Sequence, residues 1–582
     1  MNRIMSKMPE VIKDRFRFST LSFIFIIAYV NIFQKILGPE NSIVGVVFAI
    51  MMSASMVRDM TATPFKHLCI QALVLVWMAL AAYWVNILPS PLSLIINFIT
   101  LLMILYAFTY EYANHMYFPY ILSYLFLIFI SPVTDTRQLP KRLLGMLIGA
   151  VSIMAYQWVM GRNRVVETAR DVLSEIIDDI CLYISFRLKE TNDRPDPADT
   201  RHKLCRLSQT VYDRRKKVLC ISHASFSMID AGRGLEHLLV LLHELPEEET
   251  HREKELLLHI RTRLNVFRAF LHQDISGIPP WDFPISQQTE KEDTFQIFRK
   301  TLLYIDDRLQ HMTDPQNKTH YPKTALSLKV RIQAALDLSP VRAIYALRTA
   351  LLLSFATLFV QTLALPHGKW LLFTLASVSL PYSDDVPGKI KKRILATLTG
   401  GIISVLIYSL VPSPAGRTAA MMLSGYLSFY LSDYTGTFAC STIGALGGAV
   451  YMEAFGFQAV GSIFLIRICY ILAGALIGYL ANCLIFPYSR AKATGQLWKK
   501  YQSVTDLLSY VCRSEQTDTQ LYYSLVIQAH LQEEKLSQNA GLEDWEAFPS
   551  LLAKYREKVR KAHRTHITER ADALIFEGGH LS

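Results

Sequence analysis

The sequence predicts an all-α, polytopic membrane protein with two tandem six-helix transmembrane repeats and helical cytoplasmic domains. Three observations support this fold class. Hydrophobic residues make up 51% of the 582 positions, although the chain also carries 60 Lys and Arg and 49 Asp and Glu. The charged residues are concentrated in two segments that alternate with two almost wholly apolar segments. Charged residues and prolines also recur in the same order, at nearly constant separation, in both apolar segments.

The alternation of apolar and charged segments predicts five domains. Each apolar segment is long enough for several spans, since one span needs about 17 to 25 mostly apolar residues. The predicted order is a cytoplasmic N-terminal arm, a first transmembrane repeat, a helical cytoplasmic domain, a second transmembrane repeat and a helical cytoplasmic tail, at residues 1–17, 18–160, 161–340, 341–487 and 488–582.

Each apolar segment divides into six predicted helices. In the first segment they lie at about 18–37, 42–57, 67–88, 91–110, 115–131 and 142–160. In the second segment they lie at about 343–364, 369–382, 393–411, 416–432, 435–455 and 463–486. The second helix of each set is short, which is typical of the broken or partly crossing helices that line transporter sites.

Paired landmarks at nearly constant separation predict that the two apolar segments are repeats. Arg17 and Arg348 are expected to open the first helix of each set, Asp59 and Asp384 to end the second, and Lys66 and Arg393 to open the third. The turns containing Pro89 and Pro412 also correspond, and Arg142 and Arg467 are expected to open the sixth helix of each set. Their separations run from 323 to 331 residues. Since each repeat has an even number of spans, both are expected to insert in the same sense, related by an axis along the membrane normal.

The charged segments are predicted to form amphipathic helices. In the first of them, Val172, Ile176, Ile177 and Ile180 recur at helical spacing among charged residues. No useful stretch shows the strict alternation that is typical of a strand.

The distribution of Lys and Arg predicts the orientation, because short cytoplasmic loops are enriched in these residues. They are frequent in the N-terminal arm, before the ninth span and at the start of the tail. Both termini and residues 161–340 are therefore expected in the cytoplasm. One loop disagrees, because Arg137, Lys141 and Arg142 would face the periplasm. The first span is expected to be retained, since no signal-type cleavage pattern follows it.

The sequence argues against several other classes of protein. The eight cysteines show no C-x-x-C pair or zinc spacing, and no P-loop pattern occurs. His243 and Glu244 lack the second histidine of a zincin, because Glu247 stands in its place. The net charge of +11 mostly flanks apolar spans, which favours lipid headgroups over nucleic acid as its partner. We therefore expect no enzyme activity, metal, cofactor or nucleic acid.

Ionisable residues at membrane depth are the candidate functional residues, because each costs roughly 2.5 to 3.5 kcal/mol at the centre of a span. The candidates for a substrate path are Arg17, Arg142, Arg348, Arg393, Arg467 and Trp370. The candidates for ion coupling are Asp59, Glu111, Asp384, Asp385 and Asp433. Most lie near predicted span ends, so an alternative is that they simply extend to the membrane surface. Acids and arginines at matched places in both repeats favour a shared path.

Aromatic residues are dense around Glu111. They are Tyr106, Phe108, Tyr110, Tyr112, Tyr117, Phe118, Tyr120 and Tyr124. Such residues commonly form belts at the membrane interface, and the alternative is a stacking surface for aromatic substrates. Three pairs of glycines have the spacing that permits close approach of helices: Gly145 with Gly149, Gly444 with Gly448, and Gly474 with Gly478.

Residues 342–401 resemble a known family. Arg348 opens a predicted span there, Trp370 enters a short helix, and an R-x-x-A-T-x-x-G motif follows. The motif residues are Arg393, Ala396, Thr397 and Gly400. This stretch resembles the fusaric acid resistance and aromatic acid exporter superfamily, whose members typically show R-x-x-G-T-x-x-G. The chain departs from that pattern at Ala396, and the first repeat is more degenerate.

The resemblance implies an efflux protein of the bacterial inner membrane for small organic anions, such as aromatic carboxylic acids. Such exporters commonly work with a periplasmic adaptor of the membrane-fusion type and an outer-membrane channel, and are thought to use the proton gradient. The chain could also form a homo-oligomer. One alternative is a passive anion channel, since plant malate channels with six-helix halves resemble this superfamily. Another is a membrane-anchored scaffold or regulatory protein whose soluble helices bind partners.

Overall fold

The computed structural model is almost entirely helical over the residues that it describes. These are residues 10–38, 41–55, 64–109, 117–161, 164–213, 222–246, 250–280, 292–314, 316–317, 339–411, 413–431, 433–452, 458–513 and 519–579. No β-strand occurs within these ranges.

Eleven of the described α-helices precede residue 339. In the first apolar segment they are α1 Glu10–Leu37, α2 Ser42–Ser55, α3 Pro64–Ile87, α4 Ser90–Phe108, α5 Tyr117–Phe129 and α6 Leu139–Gly161. In the first charged segment they are α7 Arg164–Arg187, α8 Pro197–Asp213, α9 His223–Glu244, α10 His251–His272 and α11 Glu292–Thr313.

Nine described α-helices follow. In the second apolar segment they are α12 Pro340–Thr362, α13 Lys369–Val378, α14 Val386–Leu410, α15 Pro414–Leu427, α16 Tyr434–Met452 and α17 Gln458–Leu484. The tail contains α18 Arg490–Val511, α19 Thr519–Glu543 and α20 Phe548–Gly579. Short 3₁₀ helices precede α14 and follow α15, at Ser383–Asp385 and Ser428–Tyr430.

Seven of the described helical segments are long and apolar enough to cross a membrane. They are Ser19–Leu37, Pro64–Ile87, Ser90–Phe108, Leu139–Val159, Pro340–Thr362, Ser383–Leu410 and Val460–Leu484. Two shorter helices, α5 and α13, are also apolar. The fold class of an all-α polytopic membrane protein is therefore confirmed. Among the described residues fewer than twelve helices reach span length, because several, such as the ten-residue α13, are too short for the bilayer alone.

The chain forms two compact units. The membrane unit contains α1–α5, most of α6 and α12–α17. The polar unit contains α7–α11 and almost all of α18–α20. The polar unit is therefore built from two parts of the chain, one before and one after the second apolar segment.

In each half of the membrane unit, the sixth helix packs a glycine face against the second helix. A Cβ atom at Gly149 of α6 would lie 2.2 Å from the Phe48 ring of α2. A Cβ atom at Gly478 of α17 would lie 2.5 Å from Val378 of α13. The G-x-x-x-G spacing therefore serves close packing at the same place in both halves.

Contacts fix the direction of the helices in the second half. α14 and α16 are parallel, since Arg393 meets Phe438 early in both helices and Tyr408 meets Ile443 later in both. α13 and α17 are parallel by the same reasoning, since Trp370 meets Arg467 and Val378 meets Gly478 further on. Arg348, near the start of α12, donates to carbonyls that follow α13 and α17, and Asp385, just before α14, pairs with Arg490 after α17. The starts of α12 and α14 therefore lie beside the ends of α13 and α17. Since the chain must also return between α14 and α16, the six helices α12 to α17 alternate in direction. We call the side where α12 begins and α17 ends the near side.

The polar unit has an apolar core with buried ion pairs. Ile176, Ile177 and Ile180 of α7 are fully buried, as their helical spacing predicts. Arg201 of α8 donates to Glu533 of α19 at 2.7 Å. Since both are buried, this pair joins the segments before and after the second apolar segment into one core.

Candidate functional site

Two buried arginines of the second half lie on aromatic rings. Arg393, in the third turn of α14, is 7% exposed, and Arg467, in the third turn of α17, is 6% exposed. The guanidinium carbon of Arg393 lies 4.6 Å from the centroid of the Phe438 ring. That of Arg467 lies 5.2 Å from the centroid of Trp370. Both distances are within the range of a cation–π interaction.

The R-x-x-A-T-x-x-G motif brings Arg393 to Phe438. Its four residues recur on one helical face, and all are buried. A Cβ atom at Gly400 would lie 2.4 Å from the carbonyl oxygen of Ala439 on α16. The backbones of α14 and α16 can therefore approach only because position 400 has no side chain. Ala396 is fully buried in this face, so the small substitution there is compatible with close packing.

The neighbouring Gly401 allows α17 to approach α14. A Cβ atom at Gly401 would lie 1.7 Å from the Phe464 ring of α17. Arg467 follows Phe464 by three residues, so it lies on the same side of α17. As a result, Arg393 and Arg467 are close enough for their charges to repel each other.

Trp370 is fixed at the start of α13. Its ring stacks on His367 at a centroid distance of 4.9 Å and packs in a buried cluster with Tyr408 and Leu446. α13 docks on α17 through Gly474, where a Cβ atom would lie 3.0 Å from Thr374. The aromatic surface under Arg467 is therefore held by the packing of both helices.

A third cation extends this arrangement. The Lys389 ammonium lies 3.4 Å from the centroid of the Tyr434 ring, and that ring lies 4.1 Å from Phe438. Lys389 precedes Arg393 by one turn, as Tyr434 precedes Phe438 on the parallel helix. We name the six residues the arginine–aromatic cluster; its members are Trp370, Lys389, Arg393, Tyr434, Phe438 and Arg467.

The arginine–aromatic cluster carries three cations and no acid. Within the described residues, neither Arg393 nor Arg467 forms an ion pair, and the Nε atoms of both are buried without a hydrogen-bond partner. The charges acting on Lys389 are those of Arg393 and Lys392, which are also positive. The cluster therefore concentrates positive charge that no acidic side chain among the described residues neutralises.

Arg348 has a different environment. It is 1% exposed, in the third turn of α12, rather than at the opening of the helix as predicted. Its guanidinium donates to the backbone carbonyls of Leu380, Pro381 and Phe486. These carbonyls follow the ends of α13 and α17, so Arg348 connects three helices on the near side.

Arg142 and Arg467 are not at equivalent depths, which corrects the prediction that both open the sixth helix of a repeat. Arg142 lies in the first turns of α6, where it is buried and donates to Ser131 at 2.8 Å. Gly149 and Gly478 are the glycines of the sixth helices that pack on the second helix of each half. Arg467 lies about one turn further from Gly478 than Arg142 lies from Gly149. Arg17 of α1 is exposed.

The acidic candidates occupy helix ends. The Asp384 carboxylate accepts from the backbone N–H of Arg490 at 2.6 Å, and Asp385 forms an ion pair with the Arg490 guanidinium. Asp433 is exposed and accepts from the backbone N–H of Gly436 at 2.7 Å, at the start of α16. Asp59 and Glu111 lie outside the described residues.

The predicted aromatic cluster of the first half is partly packed in the core. Phe108 and Tyr120 stack with a centroid distance of 3.7 Å. Phe118 lies 6.5 Å from Phe438, next to the arginine–aromatic cluster. Tyr110 and Tyr112 lie outside the described residues.

Sequence reasoning proposed Arg393, Arg467 and Trp370 but missed the other three members, which are Lys389, Tyr434 and Phe438. The available signal was a pair of aromatic residues spaced by four, matching the spacing of Lys389 and Arg393. Spacing within each helix does not show that the two helices are parallel neighbours. The structure supplies that contact.

Comparison with known proteins places the arginine–aromatic cluster in a family domain. Residues 355–481 match the family described as "Fusaric acid resistance protein-like". The chain is also similar to "Inner membrane protein YccS" of Escherichia coli (strain K12), at 32% identity over 85 residues, or 15% of this chain. The matched part spans 12% of the length of that relative. No solved structure matches the chain.

Proposed function

We propose, for a membrane protein whose residues 355–481 belong to the fusaric acid resistance protein-like family, that the second half carries small organic anions across the bacterial inner membrane. Aromatic carboxylic acids are the proposed substrate class, and efflux is the proposed direction. The observation that carries this function is the arginine–aromatic cluster, with two buried arginines and no facing acid among the described residues.

The energetics of the cluster favour an anionic ligand. A cation at the centre of a span costs roughly 2.5 to 3.5 kcal/mol even on the most lenient scale. A cation–π contact stabilises the buried cation by only about 0.5 to 2 kcal/mol. The burial of two neighbouring arginines that also repel each other therefore remains energetically unfavourable until an anion binds to them. A carboxylate removes this cost, because a guanidinium can donate two parallel hydrogen bonds to it.

The two arginines lie in series along the membrane normal. Arg393 is in the third turn of α14, which starts at the near side, whereas Arg467 is in the third turn of α17, which starts at the far side. An anion could pass from one guanidinium to the other. Trp370 and Phe438 offer aromatic faces beside this route, on which the ring of an aromatic acid can stack.

The test compares two substitutions of Arg467. Lys keeps the positive charge and loses the planar fork, whereas Gln loses the charge. In cells that express each variant, export of a carboxylate such as benzoate should fall more for Arg467→Gln than for Arg467→Lys. Export of an uncharged aromatic compound should change little in either variant.

Arg137→Gln is the matched control, because it removes the same charge from an exposed loop. It should export benzoate like the unchanged protein at equal expression. An equal loss of charged and uncharged substrates in Arg467→Gln would mean that Arg467 supports folding, and the anion path would be abandoned.

The proposed driving force is the proton gradient, with Asp385 as the coupling group. Asp385 is paired with Arg490 next to the near-side end of α17. Protonation of Asp385 would remove its charge and release Arg490, which would loosen the connection between the start of α14 and the end of α17. A passive anion channel is the second candidate, and it needs no such group.

The remaining parts of the proposal concern location and partners. Both termini would face the cytoplasm, and a periplasmic adaptor would accept the anion on the far side. The test is co-purification of an adaptor with the intact protein after cross-linking in cells. Transport by the protein alone, reconstituted in vesicles and unaffected by any adaptor, would contradict the partnership but leave the anion path standing.

A further inference from the structure

A cleft in the polar unit has the properties of a second anion site. It lies between α9 and α20, beside α8, and its volume is about 180 Å³. Arg233, Glu236 and Val240 line it from one face of α9. Arg560 and His563 line it from α20, at helical spacing. The two helices come from opposite sides of the second apolar segment in the sequence.

Three of the arginines that line the cleft are already neutralised. Arg201 is paired with Glu236 at 2.9 Å and with Glu533 at 2.7 Å. Arg556 is paired with Glu533 at 2.7 Å. Arg233 contacts an aspartate of its own helix and donates to a tyrosine hydroxyl. Because these arginines already have partners, we do not assign a ligand to them.

Arg560 differs from the other three arginines. Its partner is Glu557, at 2.7 Å, and the side chains are 37% and 46% exposed. Such an exposed pair is weak, because water screens it. The Nε atom of Arg560 is buried without a hydrogen-bond partner. The guanidinium can therefore turn from Glu557 to a ligand at little cost.

His563 provides a second donor. The Tyr522 oxygen accepts a hydrogen bond from Arg233 at 2.7 Å, because an arginine can only donate. The hydroxyl proton of Tyr522 is therefore free to point to Nδ1 of His563, which lies 3.5 Å away. Burial, reinforced by the charge of Arg233, lowers the pKa of His563 well below its ordinary value. The ring is therefore neutral, and its one proton is on Nε2. That nitrogen is buried without a partner.

We propose that this cleft binds a small organic carboxylate with an apolar body. The terminal nitrogens of Arg560 would hold the carboxylate, and the buried Nε2–H of His563 would reach it after a rotation of the ring towards the cleft. Leu239, Val240 and Val559, which also line the cleft, would pack against the apolar part. The volume is below the range of about 300 to 1,000 Å³ that is usual for larger ligands, so a nucleotide does not fit. This site goes beyond the membrane path and does not depend on it.

Chemical protection tests the site in the unaltered protein. Full-length protein in phosphatidylcholine nanodiscs is treated with phenylglyoxal, which modifies exposed arginines, and the products are read by mass spectrometry. Benzoate should slow modification of Arg560 at least about fivefold. It should leave Arg564 unchanged, since Arg564 is exposed one turn away on the same helix. Equal rates at Arg560 with and without benzoate would overturn the proposal.

Calorimetry separates this site from the membrane path. Benzoate binding is measured in nanodiscs for Arg560→Gln, Arg564→Gln and Arg467→Gln. Loss of a charge-assisted hydrogen bond should weaken the polar-unit component about tenfold or more in Arg560→Gln. That component should remain in Arg564→Gln and Arg467→Gln.

Two further probes define the ligand class. Benzyl alcohol has the apolar body without the charge, and inorganic phosphate has the charge without the apolar body. Both should bind at least about tenfold more weakly than benzoate at this cleft. A cleft that binds phosphate as tightly as benzoate is a general anion site, and one that binds benzyl alcohol as tightly is an apolar cavity. Either result would overturn the assignment.

Discussion

Arg348, Arg393 and Arg467 are buried in the same half of the membrane unit with different partners. Arg348 donates to backbone carbonyls at the ends of two helices. Carbonyls at such ends have no partner within their helix, and few waters reach them in a membrane. Arg348 therefore stabilises the fold. Arg393 and Arg467 contact aromatic rings instead, and they are the two arginines to which we assign the proposed anion path.

The coupling proposal predicts the effect of changing Asp384 and Asp385 to Asn. Asn can still accept the hydrogen bond from the backbone N–H of Arg490, but it carries no charge to gain or lose. The double variant should export benzoate down its gradient and lose the dependence of export on pH. The measurement is benzoate efflux from cells at several external pH values.

Asp433→Asn is the control for this prediction, because Asp433 is an exposed helix cap away from Arg490. It should keep the pH dependence of the unchanged protein. Export against a gradient with unchanged pH dependence in the double variant, at normal expression, would show that these two acids are not the coupling site.

Single residues were predicted where charge conflicts with its surroundings. Arg393 and Arg467 were identified because an arginine in an apolar segment is costly. The same reasoning also proposed Arg348, whose carbonyl partners lie more than thirty positions away along the chain. The sequence does not reveal such partners. It therefore cannot distinguish an arginine that stabilises the fold from one that is proposed to bind a ligand.

At the scale of elements, α14 is the helix around which the arginine–aromatic cluster is built. Gly400→Ala would place a Cβ atom against the backbone of Ala439, which cannot move aside like a flexible side chain. Overpacking of this kind costs about 1 to 3 kcal/mol. We expect a lower temperature of thermal unfolding in detergent and weaker benzoate export, since Arg393 and Phe438 would separate.

Gly388→Ala is the matched control in the same helix. A Cβ atom there meets no other atom within 4 Å. Ala has a higher helix propensity than Gly by about 1 kcal/mol, so this variant should be as stable as the unchanged protein or more so. A Gly400→Ala variant with unchanged unfolding temperature would mean that α14 and α16 pack less closely than the structure indicates.

Most helix boundaries could be predicted to within a few residues, because apolar runs end at proline, glycine or charge. α2 begins at residue 42 and α13 at residue 369, as predicted. α1 and α14 each begin about seven residues earlier than predicted. Their first turns carry charged residues, such as Lys389 and Lys391, which hydropathy assigns to the loop. Helical hydrogen bonds continue through these residues even though the apolar run has ended.

At the scale of the whole molecule, buried histidines predict that the polar unit loses stability in acid. Burial, with the charges of Arg564 and Arg560, lowers the pKa of His237 to about 4. Burial also lowers the pKa of His530 and His563. The unfolded chain binds protons near pH 6.5 and the folded unit does not, so stability falls as the pH decreases from about 6.5 towards 4.

Thermal unfolding of the full-length protein between pH 7.5 and 5 measures this effect. The unfolding temperature of the polar unit should decrease with pH, and the decrease should be smaller in His237→Gln. Each pKa unit corresponds to about 1.4 kcal/mol, so one histidine makes a detectable contribution. Glu533 acts below this window, since Arg201 and Arg556 outweigh its burial and lower its pKa to about 2. A pH-independent unfolding temperature would contradict the prediction.

The polar unit also constrains how the chain crosses the membrane. The Arg201–Glu533 pair requires α8 and α19 to lie on the same side, so the segment between them crosses an even number of times. α12, α14 and α17 are long and apolar enough to cross, but three crossings are odd. The alternating directions of α12 to α17 resolve this, because six crossings are even. α13, about 15 Å long, would then cross with the help of its flanking turns.

Reporter fusions at residues 12, 250 and 560 test this topology, and all three are expected to report the cytoplasm. Fusions at 250 and 560 must agree whatever the orientation, because both lie in the polar unit. Disagreement between them would contradict the even number of crossings. A periplasmic signal at residue 12 alone would mean that the first half has an odd number of spans. Periplasmic signals at all three positions would reverse the orientation inferred from Lys and Arg, and with it the direction of the proposed anion path.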